Sequence, residues 1–275
     1  MRAVYLLLLA LLIVQATAAQ TKKGKLFIIG GGEINDALRK EILTVGNWKK
    51  GDKIVAVTLA SGYGDSAYTW INEDFRKVTG EDCIKFDSAS VHDPLQVAAL
   101  AQAKIIYLGG GDQERFMRLI QGTAVKKAIQ SARNHGSLIA GTSAGASVMS
   151  ERMITGNALL DSAQASTFRS LRKGNLELKE GLGLLDSVII DQHFLVRSRY
   201  TRMLSAIMEH PNYQCLGINE STAIIVEGNT ATVTGESQVV VFAKPKRVHS
   251  TSQKFLAGAV ELQIYVSSEK FAIKK

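Results

Sequence analysis

The run Gly141-Thr142-Ser143-Ala144-Gly145 holds residue types and spacing able to do chemistry. It follows Leu138-Ile139-Ala140, an apolar strand-like stretch, and precedes Ala146 to Met149, small residues that open a helix. Strand, G-x-S-x-G, helix is the context in which a strained turn lifts a serine hydroxyl above a sheet edge, the small neighbours making room for it. Ser143 in that setting is a nucleophile for acyl transfer. The N–H of Ala144, just past it, faces the oxyanion formed at an attacked carbonyl.

A serine nucleophile needs a base. Of the histidines His92, His135, His193, His210 and His249, four stand beside turns or in polar surroundings. His193 follows Ser187-Val188-Ile189-Ile190-Asp191-Gln192 and so sits at the C-terminal end of a predicted strand, on the rim that carries Ser143. There it can take the serine proton and return it to a leaving amine. Glu220, after the strand Cys215 to Ile218, is the candidate to orient the imidazole, with Asp191 as its rival two residues before the histidine. The chain order Ser, His, Glu departs from the Ser, Asp/Glu, His order of α/β-hydrolases and argues against an ordinary lipase or esterase.

Two further strand ends carry glycines. Gly30-Gly31-Gly32 lacks the spacing of a dinucleotide fingerprint and reads as a tight turn into a helix. In Gly109-Gly110-Gly111-Asp112-Gln113, backbone N–H groups can approach a ligand oxygen closely, and Gln113 adds an amide. Beyond His193 come Arg197, Arg199 and Arg202. On an ideal helix these cannot all face one cleft. Arg197 is the one expected to bind a substrate carboxylate. Asn219-Glu220-Ser221 matches a glycosylation acceptor; either that site is buried and unused or the secretion route lacks the modification.

The elements that must position these residues alternate between short apolar runs and helical periodicity. Strands are expected at Lys25 to Ile29, Ile54 to Leu59, Cys83 to Phe86, Lys104 to Leu108, Leu138 to Ala140 and Val188 to Ile190. Helices are expected at Asp36 to Thr44, Ala67 to Lys77, Leu95 to Ala101, Ala124 to Arg133, Ala146 to Met149 and Arg199 to Glu209. Together they predict an α/β fold, a doubly wound and mostly parallel sheet. From Thr222, runs at Thr222 to Val226, Thr232 to Thr234 and Gln238 to Ala243 read as an antiparallel extension closing the sheet edge. Lys244 to Gln253 reads as an exposed loop and Leu262 to Val266 as a last strand.

Bulk properties set the compartment. Arg2, the apolar run Leu6 to Val14 and Ala16-Thr17-Ala18-Ala19 form the three parts of a secretory leader, removed with residues 1–19. The apolar run is shorter than the roughly 20 residues of a membrane span. Residues 20–275 then form a single domain, secreted or periplasmic. The net charge is +8 over the whole chain. Its basic residues are scattered, which does not support nucleic-acid binding. Cys83 and Cys215 each lie in a strand-like run and read as buried hydrophobes rather than a disulfide framework. No Cys/His cluster has zinc-ligand spacing, so no metal and no cofactor is expected.

The assembled motifs resemble the family of cyanophycinase and dipeptidase E. The matching runs are Gly109 to Gln113, Gly141 to Ala146 with Val148-Met149-Ser150, Gly181 to Leu185, Asp191-Gln192-His193-Phe194 with the three arginines, and Gly217 to Glu220 with Thr222-Ala223. The resemblance implies a class I glutamine-amidotransferase-like fold with Ser143 as nucleophile, His193 as base and Glu220 as the third member. Ala144 N–H with Gly110 or Gly111 N–H would form the oxyanion hole. Gln113, Asp191, Gln192, Arg197, Arg199 and Arg202 would line the substrate pocket. The implied activity is cleavage of the poly-aspartate backbone of cyanophycin to β-aspartyl-arginine dipeptides, by a homodimer. A dipeptidase for α-aspartyl or isoaspartyl peptides, and a catalytically silent binding protein on the same scaffold, are the alternatives. Asn219 departs from the Asp expected before the glutamate, and the polar stretch from Asp161 to Leu178 reads as a lid.

Overall fold

The structure is a computed structural model describing residues 22–161, 167–251 and 254–274. The expected leader, 1–19, lies outside the described residues, as does 162–166 of the expected lid. Along the chain run β1 (Leu26–Ile29), α1 (Asp36–Val45), β2 (Ile54–Val57), α2 (Gly64–Thr79), β3 (Ile84–Phe86), α3 (Pro94–Gln102) and β4 (Ile105–Leu108). Next come α4 (Gln113–Ile120), α5 (Val125–Asn134), β5 (Leu138–Thr142), α6 (Ala144–Ser147), β6 (Arg152–Ala158), β7 (Leu176–Glu180), β8 (Val188–Asp191), α7 (Tyr200–Glu209) and β9 (Gln214–Ile218). The chain closes with β10 (Thr222–Glu227), β11 (Thr230–Gly235), β12 (Val239–Lys246), β13 (His249–Thr251), β14 (Lys254–Leu256), β15 (Ala259–Tyr265) and β16 (Lys270–Ala272).

Local chemistry sets the helix boundaries. Asn35 caps α1 by accepting the N–H of Leu38, and Asp93 caps α3 ahead of Pro94 in its first turn. Gly80, at φ 73°, ends α2 in the left-handed conformation that suits glycine. Helix α4 was not expected. Asp112 caps it through the N–H groups of Glu114 and Arg115, and Gln113, Phe116 and Ile120 form its buried stripe. Its eight residues give the helical period little room to show.

The central sheet has eight strands in the order β16-β11-β10-β1-β5-β4-β2-β3. The segment β1-β5-β4-β2-β3 is parallel, and β10, β11 and β16 continue it in antiparallel pairing. Side chains alternate faces. Leu26, Ile28, Val55, Val57, Ile106 and Ile139 point into a core shared with α3, α4 and α5. Phe27, Ile29, Ala56, Ile105, Tyr107 and Ala140 point the other way, onto α1 and α2. The fold is therefore α/β with a mostly parallel central sheet covered on both faces.

Three expectations change. Val188 to Ile190 is a strand, but β8 belongs to a second sheet, β15-β12-β9-β8, and not to the central one. Val188 and Ile190 pack into the core of the central sheet, whereas Ile189 faces α7 with Cys215, Val240 and Phe242. A short apolar run has the same two-sided character in either sheet, which is why its partner was not legible. Strand β12 likewise joins this second sheet, while only β10, β11 and β16 extend the edge of the first. Finally, the expected loop Lys244 to Gln253 holds the end of β12 and the whole of β13, which pairs with β14 just beyond it, and β16 rather than β15 is the last strand. Three-residue strands are too short to show alternation. The last three residues of the expected lid, 176–178, belong to β7, which is paired antiparallel with β6.

Candidate active site

Ser143 stands between β5 and α6 with φ 53° and ψ −114°, a conformation a side chain rarely adopts. The turn is held because its N–H donates to Ile29 and its carbonyl accepts from Ala146 and Ser147. The flanking glycines are sterically required. A Cβ on Gly145 would lie 2.1 Å from the Leu108 carbonyl oxygen, and one on Gly141 would lie 2.6 Å from that of Gly145.

His193 and Glu220 arrive from the ends of β8 and β9, strands of the second sheet. The Ser143 hydroxyl lies 2.9 Å from His193 Nε2, and His193 Nδ1 lies 2.5 Å from Glu220 Oε1. With Nδ1 protonated toward the carboxylate, Nε2 is left to accept the serine proton. Burial lowers the His193 pKa below its ordinary value; the Glu220 carboxylate opposes this, and the Arg197 and Arg199 charges add to it. The lowered pKa favours the neutral imidazole, the form a base requires.

The triplet Gly30-Gly31-Gly32, expected only as a turn, is the seat of these two side chains. A Cβ on Gly31 would come within 2.3 Å of His193 Cε1, and one on Gly32 within 2.6 Å of Glu220 Cβ. The Gly30 carbonyl accepts the His193 N–H, and the Gly31 carbonyl accepts that of Ser221. The glycines were visible in the sequence; the imidazole that needs their missing side chains comes from more than 150 positions away. On the other side, a Cβ on Gly110 would be 3.4 Å from Ser143 Cβ, whereas one on Gly111 would strike the Ala60 carbonyl at 2.2 Å. Gly110 is thus the glycine of this loop that abuts the serine, beside Ala144.

The residues expected to line a substrate pocket separate into three groups. Gln113 is buried, and its amide donates to the carbonyls of Ile154 and Thr155 on β6. Asp191, only 1% exposed, takes the guanidinium groups of Arg199 and Arg202, and Arg199 also donates to the backbone and side-chain oxygens of Gln192. Asp191, Arg199 and Arg202 form an ion-pair network that Gln192 joins by hydrogen bonds. Burial lowers the Arg199 pKa to about 10. Arg197 is exposed; its backbone N–H donates to the His193 carbonyl, and its side chain has no hydrogen-bond or ion-pair partner among the described residues. The helical-angle argument does not apply to it, because α7 begins at Tyr200 and the arginines before it lie in the preceding turn. Asp191, committed to the arginines, does not serve as the orienting acid. Asn219, 8% exposed, spends its side chain on internal hydrogen bonds, so the acceptor pattern there is occupied.

A model of peptidase family S51 matches residues 26–234. The chain belongs to peptidase family S51. This S51 member is 31% identical over 252 residues to a cyanophycinase of Synechococcus elongatus, covering 88% of this chain and 75% of that protein. It is 35% identical over 155 residues to a cyanophycinase of Trichormus variabilis, covering 56% of this chain and 49% of that one. Its fold is similar to that of a peptidase from an acI-B1 actinobacterium, with a TM-score of 0.66 at 20% identity over 92% of this chain and 98% of the other. The S51 peptidase is a serine-type hydrolase acting on peptides. Among its described residues no helix is long and apolar enough to cross a membrane. Cys83 and Cys215 are both buried and unpaired, in separate cores.

Proposed function

We propose that this S51 peptidase is an exported serine exopeptidase that cleaves cyanophycin-like aspartyl-arginine polymer through Ser143, His193 and Glu220. The observation that carries the reading is the continuous chain of contacts from the Ser143 hydroxyl to His193, at 2.9 Å, and on to Glu220, at 2.5 Å. Ser143 Oγ attacks the peptide carbonyl as His193 Nε2 takes its proton. The N–H groups of Ala144 and Gly110 receive the oxyanion. His193 then protonates the departing amine, leaving an acyl-enzyme. Water attacks it with His193 again as base, which frees the product carboxylate and restores the serine. Glu220 stabilises the imidazolium formed in each step. Arg197, exposed and unpaired beside this site, suits the carboxylate of an acidic substrate. The cyanophycinase relatives support the substrate, and the N-terminal apolar run followed by small residues supports export. A silent binding protein has no need of the three side chains in line.

The test uses purified protein with cyanophycin, Asp-X dipeptides and isoaspartyl dipeptides, beside Ser143→Ala. Dipeptide release from cyanophycin that disappears in the variant is expected. Release from Asp-X or isoaspartyl dipeptides alone would move the assignment to the dipeptidase reading. No hydrolysis at all, or equal activity in the variant, would overturn the enzyme assignment for this site. Expressed with its leader, the exported protein should begin near Ala19 or Gln20 on N-terminal sequencing.

A further inference from the structure

His193 and Glu220 follow the ends of different strands, and each sits in irregular backbone. His193 has φ 50°, and Ser221, on the far side of Glu220, has φ 52°. Backbone in this region is strained for residues other than glycine and persists only where its surroundings hold it. The side chain of Asn219 does so for both turns. Its Oδ1 accepts the N–H of Leu195 at 3.1 Å and of Val196 at 3.3 Å, the second and third residues after the histidine. Its Nδ2 donates to Ser237 Oγ at 2.9 Å. The Ser237 N–H in turn donates to Thr222 Oγ1 at 2.9 Å, and that hydroxyl donates to the Glu220 carbonyl at 3.0 Å. The amide cannot be reversed, since backbone N–H groups can only donate.

We propose that Asn219 is a positioning residue for this active site, a buried clamp tying the turn that carries His193 to the turn that carries Glu220. The role rests on the reading of Ser143 as the nucleophile activated by that pair. Removing the clamp frees two partly buried N–H groups and lets the imidazole and carboxylate drift apart. A displacement near 1 Å costs about 100-fold in rate.

The experiment follows the rate at which a fluorophosphonate labels Ser143, as a function of pH, in wild type, Ser143→Ala, Asn219→Ala and Asn219→Asp, with unfolding curves for each. Wild type is expected to label and Ser143→Ala to remain unlabelled. Asn219→Ala should fold and label about 100-fold more slowly. Asn219→Asp keeps the acceptor for Leu195 and Val196, and the Ser237 hydroxyl can turn to donate, so most of the rate returns. The added negative charge joins Glu220 against Arg197 and Arg199 around the imidazole, which moves the pH midpoint of labelling upward. A folded Asn219→Ala that labels at the wild-type rate overturns the clamp. Should that variant fail to fold, Asn219→Asp decides alone, and an unmoved midpoint overturns it. Wild type that does not label, or Ser143→Ala that labels equally, overturns the nucleophile reading itself, an outcome distinct from failure of the clamp.

Discussion

At the scale of single residues, the site depends on keeping His193 neutral. Its pKa is lowered mainly by burial, with Arg197 and Arg199 acting in the same direction against Glu220. A base must be deprotonated to act, so activity is lost as pH falls through that pKa. Because the pKa is lowered, the acid limb of the kcat/KM profile should lie below that of an ordinary histidine. Arg197→Ala removes one of the charges that depress it, and the limb should move to higher pH. If Arg197 also binds the substrate carboxylate, KM should rise in the same variant. A pH series of kcat/KM for wild type and variant checks both, and an unmoved limb would show that Arg197 does not reach the imidazole. Ser143, the glycines around it and His193 were all legible as candidates because their types and strand-end positions are local facts. That Gly31 and Gly32 serve His193 and Glu220 was not, because a glycine shows nothing of what approaches it.

At the scale of elements, β8 and α7 are joined by the network of Asp191 with Arg199 and Arg202. The resemblance placed these residues in a substrate pocket, yet Asp191 is 1% exposed and its carboxylate is committed to both guanidinium groups. Neutralising the acid leaves the buried Arg202 and the partly buried Arg199 without their counter-charge. Breaking a buried pair from one side costs roughly 3–5 kcal/mol. Asp191→Asn should therefore lower unfolding stability by that order in urea titration, more than a surface substitution costs. A loss under about 1 kcal/mol, with substrate binding impaired instead, would restore the pocket role. The sequence shows an acid and three arginines close together, but not that they satisfy one another. Burial decides that, and it depends on α7 and the second sheet closing over Asp191.

At the scale of the whole molecule, the site is a junction of two sheets. Ser143, Gly110 and the Gly30 to Gly32 turn belong to the central sheet, whereas His193 and Glu220 hang from the second. What holds the halves in register is the shared core, where Leu216 and Ile218 of β9 and Val239 and Val241 of β12 meet Ile28, Ile224 and Val226. Leu216 is fully buried. Leu216→Ala should destabilise the fold by about 2–5 kcal/mol. It should also cost activity well below the melting temperature, since the gap it leaves lies between the sheets that carry the serine and the histidine. Calorimetry alongside a fixed-temperature assay separates the two effects. Full activity in a protein destabilised to this degree would mean that the junction does not govern the site.

The sequence alone determined the local features: the strained serine turn, the longer helices, the parallel strands and the strand-end positions of His193 and Glu220. Each follows from periodicity or glycine placement within a dozen residues. Only the tertiary structure decided which sheet β8 and β9 join, which glycines make space for the imidazole, and which of the arginines remains unpaired. Those outcomes come from strand pairing and burial between segments far apart in the chain, and an apolar run or a charged side chain reads the same whichever partner it finds.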